Sequence, residues 1–159
     1  MTEVELKFQI HESRRNALLK AIDPKKSEII QLKAKYFDTE DRLLAQNHAA
    51  LRLRLEGTRW IQTLKAAGKC HIQRFEHNYD LGEAEQAPEL NLDIYKDDAE
   101  ATQILTNALG QNFDALKLQF ETDIERTFRV IPFEDTTIEL SLDIGSIRSE
   151  HVETPVHEV

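Results

Sequence analysis

Residues 3–10 alternate without exception, with Glu3, Glu5, Lys7 and Gln9 on one parity and Val4, Leu6, Phe8 and Ile10 on the other. Successive side chains of a strand point to opposite faces, so this segment predicts a half-buried β-strand. The period then lengthens. Leu18, Leu19 and Ile22 recur at helical spacing behind Ser13, a suitable N-cap, and Asp23-Pro24 stops the helix. A short strand is predicted over Leu32 to Phe37. Asp38-Thr39-Glu40-Asp41 then turns into a short helical piece through Leu43 and Leu44. Leu51 to Glu56 reads as a strand closed by Gly57-Thr58, and Trp60 to Lys65 as its hairpin partner, followed by a turn over Ala66 to Lys69.

From Ile72 to Leu81, Arg74, Glu76, Asn78 and Asp80 share one face of a further strand, and Phe75, His77, Tyr79 and Leu81 the other. Residues 82–96 are acidic and loop-like around Pro88, and the acidic stretch 83–100 reads as solvated surface. A helix is predicted from Asp97 to Leu109. Acids open it, Ala101, Ile104, Leu105, Ala108 and Leu109 form its apolar stripe, and Gly110 closes it. The last third returns to strands: Phe120 to Ile131 ending at Pro132, Thr137 to Ile144 ending at Gly145, a short piece near Ile147, and another beginning at Val156. Strand-rich ends around a few helices give an α+β class with an antiparallel sheet.

A length of 159 residues predicts one domain over 1–159, large enough for a core without disulfides. The chain carries 20 Lys and Arg against 29 Asp and Glu, a net charge of −9. Its mean field repels phosphate, so neither nucleic acid nor an anionic membrane is an expected partner, and any anion site must concentrate cations locally. Cys70 is the only cysteine, which excludes an internal disulfide and a cysteine-clustered zinc site. The N-terminus places charges where a signal peptide needs an apolar stretch, and no run reaches the ~20 apolar residues of a membrane helix. A cytoplasmic location is expected.

The charges on the strands change the picture. Lys7, Arg52, Arg54, Lys65 and Arg74 alternate with apolar neighbours, and Glu3, Glu5, Glu76, Glu139 and Asp143 accompany them. A wetted sheet face would mix in more threonine, serine and glutamine. Repeated cations across several strands of an acidic protein imply charge gathered in one place. A sheet closed into a barrel would put these faces inside and the apolar faces outward against the helices. Such an interior must hold water, counter-charges or a ligand. Arginine forks and lysine ammonium groups suit phosphate oxygens, and carboxylates in the same space suit Mg²⁺ or Mn²⁺.

In this setting Glu3-Val4-Glu5-Leu6-Lys7 resembles the E-x-E-x-K signature of the CYTH, or triphosphate tunnel metalloenzyme, family. Tyr36-Phe37-Asp38-Thr39, Leu51-Arg52-Leu53-Arg54, Thr63-Leu64-Lys65, Arg74-Phe75-Glu76, Arg126 with Arg129, and Glu139 through Asp143 before Gly145 follow in family order. His157-Glu158-Val159 resembles the start of the family's closing acidic strand. The resemblance covers the chain and points to the bacterial inorganic triphosphatase branch. It implies a closed or nearly closed antiparallel tunnel of eight strands, polar inside, with helices packed outside. It further implies metal-dependent hydrolysis of tripolyphosphate to pyrophosphate and phosphate within that tunnel.

Carried over by position, Lys7, Arg52, Arg54, Lys65, Arg74 and Arg126 are implied phosphate ligands, with Arg129 a further one of opposite parity to Arg126. Glu3, Glu5, Asp143 and Glu158 are the implied ligands of Mg²⁺ or Mn²⁺, with Glu139 and Glu76 in support. Glu5 and Lys7 are the implied catalytic pair, with Glu5 or another metal-side carboxylate accepting a proton from the attacking water. Val159 falls inside the family's last strand, so a missing wall strand and an open edge are expected, an edge able to pair with a second copy as a homodimer. Two other readings stand beside this one: a polyphosphate- or nucleotide-binding module without catalysis, and a related enzyme that cyclises ATP or hydrolyses thiamine triphosphate. Trp60 and the tyrosines read as packing residues and the six histidines as surface or capping residues, while Cys70 beside His71 does not suit a nucleophile.

Overall fold

A computed structural model describes residues 6–67 and 74–159, Arg74 by its backbone alone. Among the described residues, seven strands form one antiparallel sheet: β1 (Glu28–Asp38), β2 (Ala49–Glu56), β3 (Arg59–Ala67), β4 (Arg74–Glu83), β5 (Lys117–Phe133), β6 (Thr136–Ser149) and β7 (Glu153–Glu158). Their order is β4-β3-β2-β1-β5-β6-β7, so among the described residues hydrogen bonds do not close the sheet. Helices α1 (Arg15–Ile22), α2 (Leu43–Gln46) and α3 (Ala99–Leu109) complete an α+β fold. The chain divides into two compact units, Lys33–Glu121 with Ser149–His151, and Met1–Leu32 with Thr122–Arg148 and Val152–Val159.

In the unit of 33–121, antiparallel pairing sets Leu51 opposite Leu64 and Ala49 opposite Ala66. These side chains join Leu44 of α2 and Ala101, Leu105, Ala108 and Leu109 of α3 in one buried cluster. The stripe expected on α3 is therefore its core face. Asp98 caps that helix, accepting from the Glu100 and Ala101 amides at 3.0 and 2.9 Å, and Gly110 leaves it with φ +59°. The Asp38 carboxylate does the same for α2, accepting from the amides of Thr39, Leu44 and Ala45 at 2.8–3.1 Å.

The segment before α3 departs from the expected solvated loop. A 3-10 turn at Asp93–Tyr95 buries Tyr95 to 1% exposure, and Leu90, Leu92 and Ile94 pack against the core. Gln62, fully buried on β3, holds this segment down. Its Nε2 donates to the Asn91 carbonyl at 2.7 Å and to the Tyr95 hydroxyl at 3.1 Å, and its Oε1 accepts from the Asn91 amide at 2.9 Å. Acids interleave with these apolar positions, so a composition average hides the buried parity.

The other unit corrects several boundaries. Of the expected strand over 3–10, residues 3–5 lie outside the described residues, and 6–10 form a single bridge, Gln9 to Glu158. Leu6 and Phe8 are exposed rather than half-buried. The backbone still pairs with the chain end: Phe8 and Val159 exchange both amide bonds at 2.8 and 2.9 Å, and the Ile10 amide donates to His157 O at 2.9 Å. The N-cap is His11 rather than Ser13, its ring accepting from the Ser13 amide ahead of a 3-10 turn that leads into α1. β1 begins at Glu28, earlier than expected, and β5 runs past Pro132 to Phe133.

Gly145 does not end a strand. β6 passes through it to Ser149 and absorbs the piece near Ile147. A Cβ at Gly145 would meet Ile124 Cα of β5 at 2.7 Å and the Asp123 carbonyl oxygen closer still. The glycine marks a close backbone approach inside the sheet, the second meaning a strand glycine can carry.

Candidate functional site

Pairing in the unit of 33–121 puts the expected cations on the sheet face opposite the helices. Arg52 stands opposite Tyr36 of β1 and Thr63 of β3, and Thr63 opposite Asn78 of β4. One step along, Lys65 stands opposite Glu76, with Nζ 3.1 Å from Oε2. Arg54 lies two residues from Arg52 on the same face and pairs with Glu56. The Nε donors of both arginines are buried and lack an acceptor. A buried unmet donor costs about 1–3 kcal/mol or more when charged, so two on neighbouring side chains mark a place made for an acceptor.

Glu76 is held below the usual carboxylate range, first by the Asn78 amide donating to Oε1 at 3.0 Å, then by Lys65. It is therefore an anion at neutral pH. Thr63, fully buried, bonds Asn78 at 2.7 Å. Thr63 and Asn78 had no assigned role from sequence, although their parity with Lys65 and Glu76 already placed them on this face. The backbone of Arg74 lies at the start of β4.

The second unit gathers another set. Arg126 on β5 grips Asp143 on β6 through both carboxylate oxygens, each at 2.7 Å. Asp143 stands opposite Glu158 of β7, and Glu158 lies 3.6 Å from Lys7 Nζ. Four expected site residues thus follow one another as Arg126, Asp143, Glu158 and Lys7. Arg129, of the other parity, donates instead to the Ile22 carbonyl at the end of α1 at 3.4 Å. Glu139 is exposed on β6. Glu3, Glu5, Cys70 and His71 lie outside the described residues.

Asp143 and Glu158 are hard oxygen donors on facing strand positions, each beside a cation that balances it. Such a pair fits Mg²⁺ or Mn²⁺, which take one or two carboxylates together with substrate oxygens. Among the described residues no group of three or more His, Cys, Asp or Glu gathers as a metal cluster. No helix among them is long and apolar enough to cross a membrane.

The aromatic residues divide. Trp60 is buried and donates its indole N–H to Ala84 O at 3.1 Å, and Tyr95 is core. Tyr36 stacks on Phe120 with centroids 4.5 Å apart, while Tyr79 is exposed. A cavity of about 510 Å³ lined by Thr39, Asp41, Asn112, Asp114 and Lys117, among others, includes none of the expected site residues.

Residues 1–158 match the pattern of the CYTH domain. Over 127 residues the chain is 28% identical to an inorganic triphosphatase of Haemophilus influenzae, a stretch that covers 78% of this chain and 33% of that protein. The chain therefore spans about a third of the length of this curated relative. A solved structure of a candidate adenylate cyclase from Bacillus halodurans superposes with a TM-score of 0.53 at 16% identity, covering 96% of this chain and 76% of that one. A Hippeastrum protein, described as a candidate adenylyl cyclase with dominant triphosphatase activity, gives 0.48 at 14% identity over 96% and 75%. The Bacillus likeness is one of fold.

Proposed function

The chain belongs to the CYTH domain family, and from that premise we propose that it hydrolyses inorganic tripolyphosphate to pyrophosphate and phosphate with Mg²⁺ or Mn²⁺. The observation that carries this reading is the pair of acceptor-less Nε donors of Arg52 and Arg54, on the face that also bears Lys65. The inorganic triphosphatase relative supports the choice of substrate. A reducing cytoplasm suits a chain whose sequence contains one cysteine.

Phosphoryl transfer to water asks a protein for positioning and charge neutralisation more than for covalent chemistry. Arg52 and Arg54 offer guanidinium forks to phosphate oxygens, and Lys65 offers a point charge. Arg74 and Arg126 are assigned the same task. These cations hold the chain of phosphates and stabilise the charge that builds on the pyrophosphate leaving group as its P–O bond breaks. Asp143 and Glu158 would hold the metal, together with Glu3 and Glu5. Bound there, a divalent cation supplies Lewis-acid charge to phosphate oxygens and lowers the pKa of bound water. Glu5 accepts the proton of the attacking water, and Lys7 stabilises the transferred phosphoryl group.

Phosphate release from tripolyphosphate, measured with Mg²⁺ and with Mn²⁺, tests the proposal. Metal-dependent release is expected. Calorimetric binding without release would leave a polyphosphate-binding module in its place, and neither binding nor release would end the phosphate reading.

A further inference from the structure

Thr63, Asn78, Glu76 and Lys65 form a chain of contacts over β3 and β4 whose direction follows from donor and acceptor chemistry. An ionised carboxylate only accepts, so the Asn78 atom facing Glu76 Oε1 at 3.0 Å is the amide nitrogen. That turns Asn78 Oδ1 toward Thr63 Oγ1, 2.7 Å away, and obliges the hydroxyl to donate. Thr63 is fully buried, so bulk water does not compete for that hydroxyl. Glu76 Oε2 is left for Lys65 Nζ at 3.1 Å. The four residues occupy two adjacent cross-strand pairs on one face, Thr63 with Asn78 and Lys65 with Glu76.

We propose that Asn78, its amide oriented by Thr63, is a positioning residue that fixes the Glu76 carboxylate and through it the Lys65 ammonium on the face shared with Arg52. Lysine ends in a point charge on a flexible four-carbon stem, so an untethered Lys65 would spread over many rotamers. One N–H engaged by Glu76 leaves two donors on the ammonium for phosphate oxygens. The proposal rests on reading this face as a phosphate site.

Two readouts separate the two ideas: the Glu76 titration midpoint by ¹³C carboxyl NMR, and calorimetric binding of tripolyphosphate with Mg²⁺. Thr63→Val and Asn78→Leu remove the donor and the amide while keeping side-chain bulk. Both are expected to raise the Glu76 midpoint toward the ordinary range and to weaken tripolyphosphate binding about tenfold. Thr63→Ser keeps the donor and is expected to preserve both values. Amide spectra establish that each variant is folded. Unmoved midpoint and affinity in folded Thr63→Val and Asn78→Leu would overturn the proposal, as would a moved midpoint with unchanged affinity. If the unaltered protein does not bind tripolyphosphate while the midpoint still moves, the tether stands and the phosphate reading falls.

Discussion

Arg126 holds both oxygens of Asp143, with Nε to Oδ1 and Nη2 to Oδ2 each at 2.7 Å. The carboxylate is buried, so this fork rather than bulk water supplies its hydrogen bonds. Asp143→Asn keeps the shape and removes the charge. It is expected to lower stability by about 1.5–3 kcal/mol, the usual scale for a charge-assisted hydrogen bond. Arg126→Lys keeps the charge but not the two-pronged geometry, and should cost part of that amount. Urea midpoints of the two variants check both values. Asp143→Asn should also raise the Mg²⁺ concentration needed for half-maximal turnover, and an unmoved metal requirement would remove Asp143 from the ligand set.

On the proposed reading, the cations of β2 and β3 carry the heaviest functional weight. Arg52→Ala, Arg54→Ala and Lys65→Ala are each expected to lower kcat/KM for tripolyphosphate by about 10- to 1000-fold, as loss of a charged contact to a reacting phosphate does. Half-exposed cations are screened by salt, so the KM of the unaltered protein should rise with ionic strength. Glu5→Gln should instead depress metal-dependent kcat with less change in KM. Steady-state kinetics across metal and salt concentrations tests these expectations together.

Much of this arrangement was legible as alternation. Arg52 and Arg54 against Leu51 and Leu53 announced a two-faced strand, and the pairing of Leu51 with Leu64 shows the apolar face packed beneath α2 and α3. Parity also separated Arg126 from Arg129, and the two side chains do go to different partners, Asp143 and the Ile22 carbonyl. What stayed hidden depends on long-range contact. Gly145 looked like a terminator because a strand glycine and a turn glycine read alike until the neighbouring backbone of Asp123 is known. The stretch around Tyr95 looked solvated because its acids dominate the local composition, while Tyr95 packs in the core and accepts from Gln62, 33 positions away. Asn78 carried no charge and so drew no assignment, although its partners give it a direction.

Tyr95 predicts an alkaline limit for the unit of 33–121. Burial pushes its phenol from an ordinary 10.0 up to about 12, with the Gln62 donor opposing part of that rise. A raised folded-state pKa means that the folded chain keeps a proton the unfolded chain loses. Its stabilising contribution is complete below pH 10 and is lost as pH climbs toward 12. Tyr95→Phe removes the titration and should flatten this part of the stability profile. At neutral pH the variant should lose about 1 kcal/mol, because the Gln62 amide loses one acceptor. Urea midpoints at pH 8 and pH 11 for both proteins give the comparison, and parallel losses in the two would show that Tyr95 is not the group concerned.

Gly145 gives the most local test of the fold. Its backbone does not need a left-handed conformation, so a substitution there is judged by space alone. The space is taken by backbone, Ile124 Cα at 2.7 Å from where a Cβ would stand, and backbone in a sheet cannot rotate away as a side chain can. Gly145→Ala must therefore push β5 and β6 apart beside Asp143, at a cost of about 3 kcal/mol. The same displacement should loosen the fork of Arg126 on Asp143, which lies two positions along β6 from the new methyl group. Weaker thermal stability together with a raised Mg²⁺ requirement is expected from this one methyl group. An alanine variant with wild-type melting behaviour would show that the two strands approach less closely than the pairing here requires.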